Sequence, residues 1–391
     1  MLHSSWRDIK PRDSDDANPI GRTGACRLYP QHLRNILWSQ GALPSGVWGH
    51  DSPLSRGVWG HTLISRSKYV QIACAPRLHV DANGKPPHRL GMAEVHQLII
   101  RHGVEEARRQ AISRHERALV EAAYQVLSED AEKIGFTYSG FALTSLPHKL
   151  LKADIWRREG HNLTLVLQSG ADRTGKTLGL PYGSYARFIL LFLQSEAIRT
   201  SSREIELGRS MRAWLGNMGL SIGGTTYRLI SEQAKRVSGC RLTFFTDRTG
   251  REIRSQGGFV KSAITMSTAL GDQPEQLWQD TVLLDEDFYR ALCEHPVPLS
   301  ERALRAIGPR SMTIDVYVWL AYRLHSLHRP TEVGWPALFA QFGAGFQRLR
   351  KFREQFTECL ELALAAYPDA NVSLDERGIT MRPSRPAVAK V

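Results

Sequence analysis

The sequence has no long apolar run, and this limits the class of protein that it encodes. Its apolar runs, such as Phe188–Leu193, are short, whereas a helix that crosses a membrane needs about 20 such residues. The N-terminus also has no apolar stretch typical of a signal peptide. We therefore expect no membrane segment and a cytoplasmic protein.

Groups of residues suited to metal binding or catalysis are also missing. The five cysteines are far apart and have neither metal nor redox spacing, so we expect reduced thiols. No histidine has partner ligands at zinc spacing, and no Ser/His/Asp or paired-carboxylate pattern occurs. The sequence therefore predicts no metal, no cofactor and no enzymatic activity. The cysteines are Cys26, Cys74, Cys240, Cys293 and Cys359, and the histidines compared with zinc spacing are His50, His61, His325 and His328.

Glutamate is absent from the first 93 residues, although 22 glutamates occur from Glu94 onward. The same region is rich in Gly, Pro, Ser, Arg and His and contains the near-repeat Gly46–His50 and Gly57–His61. Such a composition is typical of sequence without a helical fold. We expect residues 1–91 to be a disordered extension. Two explanations stay open: translation that begins at Met92, or a genuine basic arm.

The formal net charge is +12 in a chain of 391 residues. A surplus of positive charge favours polyanionic partners, because it attracts them over the whole surface. The sequence is long enough for two or three domains. We therefore looked for a folded unit that could present the basic residues to nucleic acid.

From Met92 the pattern predicts folded structure. Residues 92–178 read as an N-terminal part with helices at 93–103 and 104–133 and a hairpin at Asp154–Arg158 and Asn162–Gln168. Residues 271–310 read as a linker with short helices, in which Asp285, Glu286 and Asp287 open a helix through favourable contact with its dipole.

Residues 179–270 predict a first winged-helix domain. Helices are expected at Tyr185–Ala197, Ile205–Leu215 and Thr225–Val237, followed by a strand at Arg241–Phe245, a turn and further extended sequence. Three helices followed by a hairpin is the winged-helix order.

Residues 311–391 repeat that order without repeating the sequence. Helices are expected at Met312–Leu327, Pro336–Phe342 and Phe346–Ala366, with strands at Val372–Leu374 and Ile379–Arg382. The predicted fold is thus α+β and mostly helical, with tandem winged-helix domains.

The third helix of the second unit carries the clearest signal for DNA. One face is apolar, and a basic cluster fills the first two turns on the other. Those turns of a recognition helix reach base edges, where arginine pairs with guanine and glutamine with adenine. The alternative is an ordinary solvated basic face. The candidate DNA-binding residues are Gln347, Arg348, Arg350, Lys351 and Arg353.

The first unit offers a weaker set, suited to phosphate contacts that position a protein without reading sequence. A solvated surface or a dimer interface is the alternative here. The candidates on the helix are Thr225, Thr226, Arg228, Lys235 and Arg236, and those in or beside the wing are Arg248, Arg251 and Arg254.

Residues Gly170–Thr177 match the phosphate-binding loop pattern of nucleotide-hydrolysing proteins. That loop must lead directly into a helix whose amides face the phosphate. Gly179, Pro181 and Gly183 follow instead and would break such a helix. A P-loop NTPase is therefore an unfavoured alternative.

Several motifs together resemble a known family, the plasmid-encoded RepA replication initiators. The matching segments, which span about residues 92–388, are Met92–His96, Gly135–Gly140 with Leu146–His148, Gly179–Arg187, Ser202–Ser210 with Gly223, Gly224 and Tyr227, Ile314–His325, Trp335, Gln341–Gly345, and Arg348 with Leu349.

The resemblance implies a protein that binds repeated sites in double-stranded plasmid origin DNA, promotes opening of the origin and recruits the host's helicase or initiator proteins. It also implies a possible homodimer that represses its own gene. The main alternative is a winged-helix transcriptional repressor without initiator activity, and a structural partition protein is less favoured. An initiator should melt AT-rich duplex beside repeated sites, and a repressor should not.

Overall fold

The computed structural model gives the protein a mixed α+β fold, about half helical in the parts described, with several small sheets. The described parts are residues 94–128, 133–160, 162–207, 213–216, 218–220, 223–248, 251–261 and 281–388. The extension predicted at residues 1–91 lies outside the described residues.

Three helices form the N-terminal part: α1 (Glu94–His102), α2 (Val104–Gln110) and α3 (Arg114–Ser128). The single helix predicted at 104–133 is therefore wrong. The chain breaks because Ser113 and Glu116 form a capping box that starts α3. The Ser113 hydroxyl accepts from the Glu116 amide at 3.0 Å, and the Glu116 carboxylate accepts from the Ser113 amide at 2.9 Å.

A four-stranded antiparallel sheet follows, in which the hairpin of β2 (Ile155–Gly160) and β3 (Leu163–Gln168) is continued by β5 (Arg241–Arg248) and β6 (Arg251–Gly258), in the order β2-β3-β5-β6. Strands β2 and β3 confirm the predicted hairpin. In β3, Leu163, Leu165 and Leu167 are buried in alternation, as expected for a strand with one face on the core. Before this hairpin lie β1 (Ile134–Tyr138) and the short helix α4 (Gly140–Leu143).

The first unit begins with α5 (Gly183–Thr200), which is buried on nearly every side. It continues with β4 (Glu204–Glu206), one helical turn at residues 213–216 and α6 (Gly224–Gly239). It ends with the hairpin of β5 (Arg241–Arg248) and β6 (Arg251–Gly258).

The helix predicted at Ile205–Leu215 is thus wrong at its start. Ser201 ends α5 in a left-handed conformation with φ 51°, and Ile205 then points to the core between two exposed glutamates. That alternation favours the strand β4, which pairs with β7 (Thr281–Leu283).

The segment predicted as a linker with short helices, residues 271–310, is described from residue 281, and there it contains paired strands as well as helices. Besides β7 it contains α7 (Glu286–Glu294), β8 (Pro296–Ser300) and α8 (Glu301–Ile307). Strand β8 pairs with β1, so both strands of this segment are built into earlier parts of the fold. The helix opened by the acidic residues is confirmed, since the Asp285 side chain accepts from the amides of Asp287 and Phe288.

The second unit contains the predicted helices and one additional strand. Its helices are α9 (Ser311–Arg323), α10 (Trp335–Phe342) and α11 (Leu349–Ala365), and its strands are β9 (Thr331–Gly334), β10 (Val372–Leu374) and β11 (Gly378–Met381). The sheet has the order β10-β11-β9. Helix α9 ends four residues before the predicted end, in a 3₁₀ turn at Leu324–Ser326.

Helix α11 begins three residues after its predicted start at Phe346. Gly345 has φ 89°, a conformation that favours glycine, and Arg348 is extended and caps the helix. Gln347 and Arg348 therefore precede the helix rather than lying in its first turn.

One hydrophobic core runs through the first unit, the residue 281–310 segment and the second unit. A smaller core joins α1–α3 to the C-terminal half of α11 through Leu362 and Ala365. The His96 ring also bonds the Ala365 carbonyl at 2.9 Å. Among the described residues, no helix combines the length and apolarity that crossing a membrane requires.

Candidate nucleic-acid interface

The segment from Gln347 to Arg353 presents an exposed basic surface, which we call the cationic segment. Its polar side chains are all exposed, and Arg350 and Lys351 are 86% and 68% exposed. The structure therefore brings together, at the start of α11, all five residues that the sequence proposed for this unit: Gln347, Arg348, Arg350, Lys351 and Arg353.

Aromatic packing holds the opposite face of α11 in place. Phe352 and Phe356 are fully buried, and both rings meet the Trp335 ring edge-on, with centroids 6.4 and 6.0 Å apart. Phe339 and Phe346 pack against Phe352 from α10 and the preceding turn. A helix fixed on one side by large rings presents its other side in one orientation.

The cationic segment has a carboxylate among its cations. Glu354 accepts a hydrogen bond from Arg350 at 3.2 Å and from Lys351 at 2.8 Å. These bonds and the two positive charges hold the pKa of Glu354 below its usual value. Exposed pairs of this kind are weak, so both cations remain open to a stronger anion.

Trp335 connects the cationic segment to the β10–β11 turn. Its indole nitrogen donates to the Glu376 carbonyl at 3.1 Å, and its amide donates to the Arg377 carbonyl at 3.0 Å. The Arg353 guanidinium lies over the same ring, 5.1 Å from its centroid. Arg377, which the sequence analysis did not select, is 81% exposed on this turn.

The first unit presents fewer free cations. Thr225, Arg228 and Lys235 are exposed on α6, and Thr226 is partly buried. Arg236 faces inward: it donates to the Leu180 carbonyl at 3.1 Å and to Glu232 at 2.7 Å.

The Arg236 side chain is only 13% exposed and is bonded within the fold, unlike the other α6 candidates. Its guanidinium also lies 5.2 Å from the Tyr182 ring centroid. Gly179 faces it at φ +78°, where an added Cβ would come within 2.3 Å of the guanidinium. The start of the Gly179–Arg187 motif thus packs on α6 through contacts with this arginine.

The wing candidates lie on the β5–β6 hairpin. Arg248 pairs in register with Arg251 next to the turn, and Arg254 pairs with Phe245. The side chains of these three arginines lie outside the part of the structure that is described.

The Gly170–Thr177 loop has the geometry of a hairpin and not of a nucleotide site. Ala171 and Thr177 form an antiparallel bridge, and the Asp172 carboxylate accepts from the amides of Thr174 and Lys176 at 2.8 and 3.1 Å. Residues 178–182 are not helical, and α5 begins only at Gly183. An acidic side chain thus occupies amides that a phosphate would need.

The histidines selected in the sequence do not form a metal site where the chain is described. His325 bonds the Ala321 carbonyl at 2.9 Å, while His50 and His61 lie outside the described residues. Among the described residues, no three or more His, Cys, Asp or Glu side chains are grouped so that they could hold a metal ion.

A buried ion pair that the sequence analysis missed joins the two units. Arg187 on α5 is 5% exposed and Asp315 on α9 is 10% exposed, and two 2.6 Å hydrogen bonds connect them. The remaining N–H groups of Arg187 bond the carbonyls of Pro147 and Gly183, at 3.2 and 2.8 Å, and of Leu146 at 2.8 Å. All five donors of the guanidinium are thus used.

His148 and Arg158 lie beside this pair. We call the four residues Arg187, Asp315, His148 and Arg158 the junction cluster. His148 bonds Ser311 at 3.1 Å, and burial together with the nearby arginines holds the pKa of its ring well below 6.5. Arg158 donates to the Gln341 carbonyl at 2.8 Å, and burial lowers the pKa of its guanidinium to about 10. Two opposite charges, each within an otherwise uncharged stretch of a helix, were the signal that predicts such a pair.

These observations define a mixed α+β protein with two units, one basic exposed helix and a buried ionic junction. Residues 180–334 match the family model described as plasmid encoded RepA protein. The resemblance inferred from the motifs is confirmed over this segment, which is less than half of the chain. The match ends before α10, so the cationic segment lies outside it.

Two solved structures are similar at low identity, and both are crystal structures of domains 2 and 3 of RctB. A selenomethionine derivative is 11% identical, covering 64% of this chain and 99% of that chain, with a TM-score of 0.43. The second is 10% identical, covering 56% of this chain and 79% of that chain, with a TM-score of 0.36. No curated protein matches this chain in sequence.

Proposed function

We propose that the protein initiates plasmid replication by binding repeated sites in double-stranded origin DNA through two winged-helix units. The observation that carries the proposal is the cationic segment at the start of α11, exposed on one side and fixed by aromatic rings on the other. The family match over residues 180–334 supports the replication role.

The order of elements supports winged helices in both units. Each unit runs helix, strand, helix, helix, strand, strand, and in the second unit the last strand lies between the other two. In this arrangement the third helix enters the major groove and the final hairpin flanks it. In the second unit those elements are α11 and the β10–β11 turn.

The test is binding of the full chain to DNA flanking its own gene and to unrelated DNA, over a series of salt concentrations. A preference on the order of 10³ for the flanking DNA is expected. Arg348→Ala/Arg350→Ala should remove most of it, because each base contact contributes about 1–3 kcal/mol of discrimination.

The matched control is Arg109→Ala/Arg290→Ala, which removes the same charge from exposed positions on α2 and α7. It should keep the preference. Equal binding to both DNAs in the unchanged protein would contradict the proposal, and so would equal losses in the two double variants.

Origin opening and recruitment of the host helicase belong to the same proposal. Permanganate probing of a supercoiled plasmid should reveal unpaired thymines in the AT-rich DNA beside the bound sites. Specific binding without unpaired thymines would leave the repressor alternative. A pull-down with purified host helicase tests recruitment directly.

A further inference from the structure

We propose that the Arg187–Asp315 pair sets the spacing of DNA sites that the two units can bind together. Arg187 is then a positioning residue for recognition and makes no DNA contact. This inference rests on the proposed function.

The two DNA-facing helices are attached to the two helices that the pair joins. Helix α6 packs on α5, and α11 packs on α9. Helices α5 and α9 also pack on each other. The relative orientation of α5 and α9 therefore determines the relative orientation of α6 and α11.

Apolar packing alone would specify this orientation loosely. Helix α5 is buried from Ala186 to Ser195, and α9 from Met312 to Ala321. Contacts between such surfaces are non-directional, and similar packings of two apolar helices differ little in free energy.

The hydrogen bonds of the junction cluster are directional and therefore restrict the relative orientation of α5 and α9. The five donors of Arg187 are fixed at once by α9, by the start of α5 and by the segment before β2. A shift of α9 along α5 would leave a buried charge without its partners, which is strongly unfavourable. Fixing a register is the best-attested use of such a pair.

The covalent connection that leads into α9 is short as well. Only residues 308–310 separate α8 from α9, and both Gly308 and Arg310 bond back to the last turn of α8. Two units held this closely should accept their DNA sites at one spacing only, because the spacing of half-sites follows from protein geometry.

The test variant is Arg187→Met/Asp315→Leu, which replaces the pair by apolar residues of similar size and leaves the net charge unchanged. Such replacements are often neutral or stabilising. The matched control is Arg290→Met/Asp287→Leu, which removes an exposed pair on α7. Circular dichroism and urea unfolding establish that each variant folds.

Hydroxyl-radical footprinting of the full chain on the flanking DNA first locates the two protected stretches. Insertions of 1 to 5 base pairs are then placed between them, and affinity is measured by fluorescence anisotropy. The unchanged protein and the control should lose at least about tenfold in affinity at five inserted pairs, since half a helical turn moves one site to the opposite side of the DNA. The test variant should lose less than about threefold.

Arg187→Lys is a second variant, which decides the matter if the double variant does not fold. Its ammonium group keeps the charge but has three donors in place of the five that Arg187 uses, and it lacks their planar geometry, so an intermediate insertion penalty is expected. Equal insertion penalties in all folded variants, or a single protected stretch, would overturn the spacing proposal alone. Equal affinity for flanking and unrelated DNA would overturn the proposed function, and the spacing proposal with it.

Discussion

Arg350 and Arg187 have the same side chain in opposite environments. Arg350 is 86% exposed and shares one carboxylate with a lysine, whereas Arg187 is 5% exposed and uses every donor within the fold. Arg236 is like Arg187, since it is 13% exposed and holds the loop before α5. The arginines of this basic chain therefore fall into two classes: exposed arginines that are available to a polyanion, and interior arginines that hold the fold together.

The comparison gives the two classes different measurable signatures. Loss of an interior arginine or its partner should lower the free energy of unfolding and leave the sequence preference for DNA intact where the protein still folds. Loss of Arg348 or Arg350, which are exposed in the cationic segment, should leave the free energy of unfolding nearly unchanged and lower the sequence preference for DNA.

The largest effect is expected for Asp315→Asn. The substitution leaves the Arg187 charge buried without an opposite charge, which should lower the free energy of unfolding by about 3–5 kcal/mol. Urea unfolding monitored by circular dichroism measures it. Asp287→Asn, at an exposed pair, is the control and should change stability by less than about 0.5 kcal/mol. Similar losses of unfolding free energy in both variants would contradict the proposed difference between the buried and the exposed ion pair.

A smaller loss is expected for Arg236→Ala. The variant removes the bonds to the Leu180 carbonyl and Glu232, and the contact with the Tyr182 ring, so stability should fall by about 1–3 kcal/mol. Lys235→Ala, one position earlier and exposed, should leave stability unchanged. If Arg236→Ala weakened DNA binding without lowering stability, Arg236 would belong with the exposed class after all.

The pH dependence should report the buried cluster and not the exposed helix. The pKa of His148 is well below 6.5 in the folded protein, first because of burial and then because of Arg187. As the pH falls below about 6.5, the unfolded chain binds a proton that the folded chain does not, so the free energy of unfolding decreases.

Urea unfolding at several pH values between 7.5 and 5 measures this decrease. His148→Gln should make it smaller, and His96, whose pKa is also lowered by burial, accounts for a further part. His102→Gln on the surface is the control. A pH profile that His148→Gln leaves unaltered would remove this histidine from the explanation.

The smallest effect is expected at the β10–β11 turn. Arg377→Ala should weaken DNA binding by about tenfold or less, equally for flanking and unrelated DNA, because phosphate contacts carry no sequence information. Fluorescence anisotropy with both DNAs measures the two losses. A loss confined to the flanking DNA would instead place Arg377 among the residues that read bases.

Local patterns predicted most helices and hairpins of this fold, because their signals lie within a few residues. The β2–β3 hairpin, α6 and the basic start of α11 are examples. The capping box at Ser113 and Glu116 was equally local and could have been found. Strand β4 could not, because its partner β7 lies about 75 residues later in the chain and a three-residue strand has little pattern of its own.

The junction cluster shows a different limit. Arg187 in the buried stretch of α5 and Asp315 in the buried stretch of α9 each indicate a buried partner, but only the packing of the two helices shows that they pair. Arg236 was assigned to the surface because helical spacing alone does not show that the loop before α5 covers that side of α6.

Glu354 gives the cationic segment a property that its charge alone would not. In the free protein, Arg350 and Lys351 already hold an anion, and this anion is tethered to the same helix. A polyanion that approaches the same donors competes with this carboxylate, and a tethered competitor is present at high effective concentration. Under the proposed function, this competition should reduce weak, indiscriminate association, whereas a DNA site that also offers matching base edges should gain contacts that Glu354 cannot mimic.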